Sequence, residues 1–467
     1  MVFSGVIFLF YFIPLFFIVY FLSPKKYRNL LLLAASILFY QWGAPWFVLV
    51  ILASTFIDFH IVKKIASIEA KLSKKKWLIL SLALNLGLLA WFKYANFFVD
   101  TVQNLFSTNS QWIEIALPIG ISFYTFQTIT YAVDVYRNVH APLNKVSDYM
   151  MYILMFPQLI AGPIVRYHEI ADQIPERKSR REDIEWGIVR FCIGLAKKVL
   201  IANVLAQNAD EIFRIGAADM STTTAWIGIL AYTFQIYFDF SGYSDMAIGL
   251  GRILGFKFPE NFNNPYTANS ITDFWRRWHM TLGRFMKDYL YIPLGGNRLG
   301  KGRMYGNLVL VFLLSGLWHG ASWNFVLWGV FHGMFLLLDR LFLLQFLNKI
   351  GKIPSILITF IITILGWVIF RIEDIHEASL FYKKLFDFSD IRSLYLYEKE
   401  LWFTLLVAFI FSMITIFKFG QRAHDSVFNW SDIRPKFALK IIVIIGLSFS
   451  LVYILTDSFN PFIYFRF

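Results

Sequence analysis

Between Arg303 and Asp339 the chain carries no Lys, Arg, Asp or Glu, and this apolar stretch is long enough for two passes through a membrane. A helix needs roughly 20 apolar residues to cross the hydrocarbon core of a bilayer. Backbone polar groups in lipid must bond within the segment, which favours helices. Only 16% of all residues are charged and 57% are hydrophobic, whereas soluble domains are about one quarter charged. The sequence therefore predicts an all-α polytopic membrane protein.

Further apolar segments share this character and predict about twelve transmembrane helices. The segment at 150–165 is short and contains Pro157 and Gly162. Helices broken at membrane depth usually line cavities, so this segment is predicted to be re-entrant. The apolar segments lie near 3–22, 29–41, 45–62, 77–99, 117–136, 150–165, 187–206, 224–250, 306–338, 355–370, 401–417 and 439–456.

The charges of the connecting loops orient these spans. Basic residues dominate most connections, whereas the loops at 100–116, 207–223 and 372–400 are acidic or lack basic residues. The positive-inside rule places those three loops outside and both termini outside. The rule also explains the net charge of +13 without nucleic acid as a partner. We find no internal repeat and predict one multi-pass membrane domain over residues 1–467, with its motifs concentrated in 117–333.

His319 stands inside the longest apolar stretch, between Trp318 and Gly320. An ionisable side chain at membrane depth is costly and usually marks a site, and imidazole suits proton transfer near neutral pH. The alternative interpretation is that His319 is a hydrogen-bonded packing residue without a catalytic role. The sequence shows no Ser or Cys nucleophile with an adjacent base, so it does not predict a hydrolase triad. His332 follows thirteen residues later, which is not a ligand spacing on one helix face, so no metal site is predicted.

A second histidine, His279, follows the stretch FWRRW at 274–278. Ser270 is predicted to cap a helix on which Trp275, Trp278, His279 and Leu282 share one face. We expect an amphipathic helix on the cytoplasmic surface. Its arginines have two interpretations, namely membrane anchoring and a basic mouth for a phosphorylated, acyl-carrying cofactor. On the second interpretation the cofactor-binding residues are Arg276, Arg277, Arg284 and Trp278.

Polar residues in other apolar segments are candidates for lining a substrate path. Asp245 closes a polar run that begins at Asp239, and Gln127 and Gln158 lie beside Gly- and Pro-containing breaks. The alternative is a satisfied polar network that positions helix ends. Cys192, the single cysteine, excludes an internal disulfide and is predicted to be a packing residue.

Several long motifs together resemble those of the membrane-bound O-acyltransferase family, and within it the bacterial alginate O-acetyltransferase subgroup. The resemblance spans nearly the whole chain. The motifs are LPIGISFYTFQ (117–127), DVYR (134–137), FPQLIAGPIVR (156–166), FDFSGYSDMAIGLGRILGF (238–256), NFNNPY (261–266), FWRRWHMTLGRFMKDYLYIPLGGNR (274–298), GLWHGASWNFVLWGVFHG (316–333) and the terminal FIYFRF.

The resemblance implies a location in the inner membrane of a bacterium. It also implies acyl transfer from a cytoplasmic donor through a membrane tunnel to an acceptor at the outer face. His319 would be the catalytic histidine and His279 the second one. Acetyl-CoA would be the donor substrate, with no bound cofactor. An exported polysaccharide would be the acceptor, with a periplasmic or extracellular partner protein. The side chains of Asn324, Trp318 and Trp323 are candidate oxyanion donors.

Two other functions stay open. One is transfer of a D-alanyl or fatty acyl group to a cell-wall polymer, lipid or protein. The other is transport of an acylated glycan or lipid, which would favour paired broken helices in two related halves; the motifs lie instead in one stretch, 238–333.

Overall fold

The computed structural model describes residues 1–108, 111–391, 398–428, 435, 437–457 and 459–463. Within these ranges the chain is helical and contains no strand. Among the described residues, five helices are long and apolar enough to cross a membrane, and Ile7–Leu22 is a shorter apolar helix. These findings confirm a helical membrane protein, and the number of crossings stays a prediction. The five helices are Lys71–Phe106, Trp323–Ile350, Lys352–Arg371, Lys399–Ile416 and Phe437–Thr456.

The chain folds into two compact units, Met1–Ile188 with Ala247–Pro259, and Val189–Met246 with Glu260–Phe467. Two of the three chain boundaries between the units fall inside the helices Arg181–Ala196 and Thr222–Ile253, and the third lies after Pro259, outside any helix. The assignment of residues 1–467 to one domain stays a prediction.

The first unit carries a broken, buried segment where a re-entrant stretch is predicted. Helix Val146–Leu154 ends before Pro157, a four-residue helix follows, and residues 151–167 are all buried. Gln127 and Gln158 are both buried in this unit. Its complete helical segments are Ile7–Phe12, Ile13–Leu22, Lys25–Tyr27, Arg28–Gly43, Phe47–Ser67, Lys71–Leu89, Ala90–Tyr94, Ala95–Phe106, Ile121–Tyr136, Val146–Leu154, Phe156–Leu159, Tyr167–Ile170 and Ala171–Gln173.

The second unit contains the stretches with both motif histidines. Arg181–Ala196 and Thr222–Ile253 are shared between the units. The other helical segments of the second unit are Lys197–Asn203, Val204–Phe213, Pro265–Thr267, Ile271–Arg277, Met280–Phe285, Met286–Tyr291, Lys301–His319, Trp323–Leu338, Asp339–Leu343, Leu344–Ile350, Lys352–Arg371, Ile375–Leu385, Lys399–Met413, Ile414–Ile416, Lys418–Phe428 and Phe437–Thr456.

The apolar stretch at 306–338 forms two helices joined by a short turn, as its length predicts. Lys301–His319 and Trp323–Leu338 pack against each other along small residues. A Cβ atom at Gly316 would lie 2.2 Å from the carbonyl oxygen of Phe325, and one at Gly329 would lie 2.4 Å from that of Phe312. The two helices therefore approach backbone to backbone, which only glycine permits.

The predicted continuous amphipathic helix around His279 is wrong. Helix Ile271–Arg277 ends before Trp278, and a second helix begins at Met280. His279 has φ +44° and ψ +52°, the left-handed conformation that interrupts a helix. Trp278 and Leu282 are buried at 1% and 3% exposure, so this face packs into the protein, and its location at the cytoplasmic surface stays a prediction. Ser270 does cap the first helix, accepting a hydrogen bond from the Asp273 amide at 3.1 Å.

Candidate active site

His319 is the last residue of its helix and projects from the turn between the two packed helices. Gly320 follows in an extended conformation, and Trp323 begins the return helix. His319 is 2% exposed. The close glycine contacts between these two helices therefore set the position of the helix end that carries His319.

His279 is held by a loop that precedes its helix. The Asn261 carbonyl accepts from the Met280 amide at 2.9 Å, and the Asn263 amide donates to the Arg277 carbonyl at 2.9 Å. The Asn261 side-chain oxygen lies 3.0 Å from His279 Nδ1. A non-glycine residue in the left-handed region persists only where its surroundings stabilise it, and these bonds supply that stabilisation.

The two histidines meet in one buried cluster of rings. Their ring centroids are 6.4 Å apart. The Trp318 ring lies 5.7 Å from that of His279 and 4.9 Å from that of His319. Trp328 and Phe370 complete the surroundings of His319 at 5.1 Å and 5.4 Å. The arrangement places two imidazoles in a site from which bulk water is excluded.

Burial determines the charge state of His279. Desolvation penalises the imidazolium and lowers the pKa of His279 to about 3. The ring is therefore neutral near pH 7 and presents one N–H and one basic nitrogen. A neutral imidazole of such low basicity accepts a hydrogen bond from a substrate group at its unprotonated ring nitrogen, but it does not readily take up the proton near pH 7.

The predicted oxyanion donors have three different environments. Trp318 lies within the histidine cluster. Asn324 is buried, but its side chain bonds to the Ser322 hydroxyl and, at 3.3 Å, to the Ile369 carbonyl. Trp323 is 54% exposed, so its side chain does not belong to the buried ring cluster.

The residues predicted to bind a phosphorylated cofactor are also dispersed. Arg276 is exposed. Arg277 pairs with Asp273 at 2.9 Å, and Arg284 donates to the Glu260 carbonyl at 3.0 Å. Trp278 packs among buried rings, 5.1 Å from Phe262 and 4.9 Å from Trp367. Trp278 therefore supports the His279 loop from inside the fold, and Arg276 is the member of the set whose side chain faces outward.

Asp245 belongs to a buried ionic network. Its carboxylate contacts both Arg190 and Lys197 at 2.7 Å, and Arg190 also pairs with Glu260 at 2.6 Å. Asp245 further lines a mainly apolar cavity of about 550 Å³ in the same unit. The structural and the path-lining interpretations of Asp245 are thus compatible. Gln127 and Gln158 lie in the first unit, and Gln158 donates to the Tyr152 carbonyl at 2.7 Å.

Sequence reasoning assigned no role to several residues of the cluster. Trp328 lies between His319 and His332. Its ring centroid is 5.1 Å from that of His319 and 4.9 Å from that of His332. Asn261 was visible only as part of the NFNNPY motif, and Phe370 lies in an apolar helix without a distinguishing pattern. The described part of the chain has no group of three or more His, Cys, Asp or Glu residues able to hold a metal ion.

A polytopic helical protein with two histidines in a buried site fits the class of membrane acyltransferases, and comparison with known proteins establishes this class. Residues 32–372 match the model of the MBOAT, membrane-bound O-acyltransferase, family. The chain belongs to this family and is an O-acyltransferase.

Within the family the chain resembles the alginate O-acetyltransferase subgroup. It is 39% identical to a protein of Azotobacter vinelandii named "Probable alginate O-acetylase", with 100% of both chains covered. It is also 39% identical to a peptidoglycan O-acetyltransferase of Helicobacter pylori over 81% of this chain and 78% of that protein. A teichoic acid D-alanyltransferase of Bacillus subtilis is 31% identical over 56% of this chain and 70% of its own length.

Proposed function

We propose that the protein transfers an acetyl group from cytoplasmic acetyl-CoA across the membrane to hydroxyl groups of an exported polysaccharide. A partner protein at the outer face delivers or receives the acyl group. The observation that carries the proposal is the buried cluster in which the rings of His279 and His319 lie 6.4 Å apart. The names of the alginate and peptidoglycan O-acetyltransferases that resemble the chain support the substrate class.

His319 acts as the general base in this proposal. Its imidazole takes the proton of the acceptor hydroxyl while the oxygen attacks the thioester carbonyl. The C–S bond then breaks, CoA leaves as the thiolate and the proton returns to the sulfur. A positioned base contributes typically 10²–10⁴-fold to the rate. The Trp318 indole N–H is the proposed donor to the developing oxyanion, since Trp318 lies in the cluster and Trp323 is exposed.

The donor reaches this site from the cytoplasmic side, and Arg276 contributes to attracting its phosphates. The Asp245 cavity is a second element of the substrate path, because its wall includes Tyr237 and Phe262, whose rings contact Trp278 beside His279. We further propose about twelve crossings in the inner membrane, with a re-entrant segment at 150–165, from segment lengths and loop charges.

Acetyl-CoA turnover by the purified protein in detergent tests the proposal. CoA release and acetyl transfer to polysaccharide fragments are measured for wild type, His319→Ala and a control, His376→Ala, whose side chain is exposed. We expect His319→Ala to lose both activities and His376→Ala to keep them. Equal turnover in His319→Ala and wild type would exclude the assigned base.

Transfer of a D-alanyl group is the second candidate, favoured by the similarity to the Bacillus subtilis D-alanyltransferase. The same assay with a D-alanyl thioester on a carrier protein distinguishes the two. A His319-dependent reaction with that donor, and none with acetyl-CoA, would replace the acetyl group in the proposal.

A further inference from the structure

The Asn261 side chain has every hydrogen-bonding position of its oxygen committed to the His279 turn. Asn261 Oδ1 lies 3.0 Å from His279 Nδ1, and it accepts from the Thr281 amide at 3.3 Å and the Thr281 hydroxyl at 2.9 Å. Asn261 Nδ2 donates to the Ser244 hydroxyl at 3.0 Å. Asn261, Ser244, His279 and Thr281 are all no more than 2% exposed, so water does not compete for these bonds.

These contacts decide which atom of Asn261 is the oxygen. A backbone N–H can only donate, so the atom that receives the Thr281 amide must be an acceptor. The same atom faces His279 Nδ1, and an acceptor there requires a proton on Nδ1. In a neutral imidazole the other nitrogen then carries a lone pair. His279 Nε2 is buried and makes no hydrogen bond within the described ranges of the chain.

We propose that Asn261 is a positioning residue that holds His279 in the tautomer protonated on Nδ1, so that Nε2 is a hydrogen-bond acceptor directed into the site. The tautomer itself follows from the geometry of the loop. Its use in acyl transfer rests on the proposed function.

The tautomer restricts what His279 does in the reaction. A neutral imidazole bonded through Nδ1–H has no second N–H to offer, so His279 cannot donate to an oxyanion. Its Nε2 instead accepts from a substrate O–H or N–H group, such as the acceptor hydroxyl or an amide of the donor's pantetheine arm. Asn261 thereby gives His279 a role in orienting substrate and leaves His319 as the general base.

Nitrogen-15 spectra of histidine-labelled protein in bilayers test the tautomer directly, because protonated and unprotonated ring nitrogens resonate far apart. Subtraction of the His279→Gln spectrum assigns the His279 signals. The variants are Asn261→Leu, which removes the acceptor at similar volume, Asn261→Asp, which keeps an acceptor, and Asn263→Leu, a control at an exposed neighbouring asparagine. In Asn261→Asp the Ser244 hydroxyl can rotate to donate instead of accept.

We expect Nδ1–H and bare Nε2 in wild type, Asn261→Asp and Asn263→Leu, and loss of this single tautomer in Asn261→Leu. His279 protonated on Nε2 in wild type, or an unchanged tautomer in Asn261→Leu, overturns the inference. If Asn261→Leu fails to fold, retention of the tautomer in Asn261→Asp and its presence in wild type still decide the outcome.

Acetyl transfer supplies the second readout. We expect Asn261→Leu to lower kcat by about 10²-fold with little change in KM, and Asn261→Asp to recover much of it. Wild-type kcat in a correctly folded Asn261→Leu overturns the positioning role. Failure of the proposed function has a different signature, namely turnover that is insensitive to His319→Ala while the tautomer spectra remain as expected.

Discussion

Gly316→Ala is the substitution whose effect on the site can be worked out most directly. Gly316 lies three residues before His319 on the same helix, and its added Cβ would meet the Phe325 carbonyl oxygen at 2.2 Å. Neither atom can rotate away, since one is backbone and the other is fixed to backbone. Cβ atoms essentially never approach closer than 3.0 Å, so the helix ending at His319 must shift relative to its neighbour.

The required shift is at least 3.0 − 2.2 = 0.8 Å. A displacement of about 1 Å in a catalytic group costs on the order of 10²-fold in rate. Overpacking of this kind also destabilises a fold by about 1–3 kcal/mol. We therefore expect Gly316→Ala to lower acetyl-transfer turnover by about 10²-fold while much of the protein still reaches the membrane in folded form.

The assay compares turnover at saturating acetyl-CoA with the amount of monodisperse protein recovered in detergent. Gly306→Ala is the matched control, because it lies on the same helix and its added Cβ has no neighbour within 4 Å. We expect the control to retain wild-type turnover. Wild-type turnover in Gly316→Ala would refute the argument that helix packing at this glycine sets the position of His319.

Three further predictions concern stability. Lys198→Met should destabilise the protein by about 3–5 kcal/mol by leaving Asp239 buried without its ion partner at 2.8 Å, and Lys198→Met with Asp239→Leu should recover most of this in thermal unfolding. Gly366→Ala should cost about 1–3 kcal/mol, since its Cβ would lie 2.7 Å from His332 Nε2; an unchanged melting temperature would contradict the packing. The pKa of His279 is lowered from 6.5 to about 3, so between these values the unfolded state binds an extra proton and stability rises with pH. His279→Gln should flatten the unfolding profile in that window.

The parts of the fold that depend on local composition could be predicted from the sequence. The charge-free stretch after Arg303 is two helices with a turn at Gly320, and Ser270 caps the helix that it precedes. Both features follow from properties of neighbouring residues, namely hydrophobic length and the hydrogen-bonding capacity of a short side chain. The resemblance to the acyltransferase family also singled out both histidines as site residues, and their catalytic roles stay a prediction.

The conformation of His279 could not be predicted in this way. The spacing of Trp275, Trp278, His279 and Leu282 is typical of one helix face, and it led to a continuous helix. The helix breaks instead at His279, and the bonds that stabilise the break come from Asn261, 18 residues earlier. Local periodicity contains no information about a partner at that separation.

The NFNNPY and WRRWH motifs depend on each other structurally. A left-handed histidine is costly by itself, and a buried asparagine is costly unless its amide is fully bonded. The two residues meet each other's requirements, because the Asn261 oxygen accepts the hydrogen bonds that the His279 turn donates. The helix break exposes the His279 ring to the cluster around His319, 6.4 Å away. A continuous helix would have left Asn261 without these partners, so the two motifs specify the site jointly.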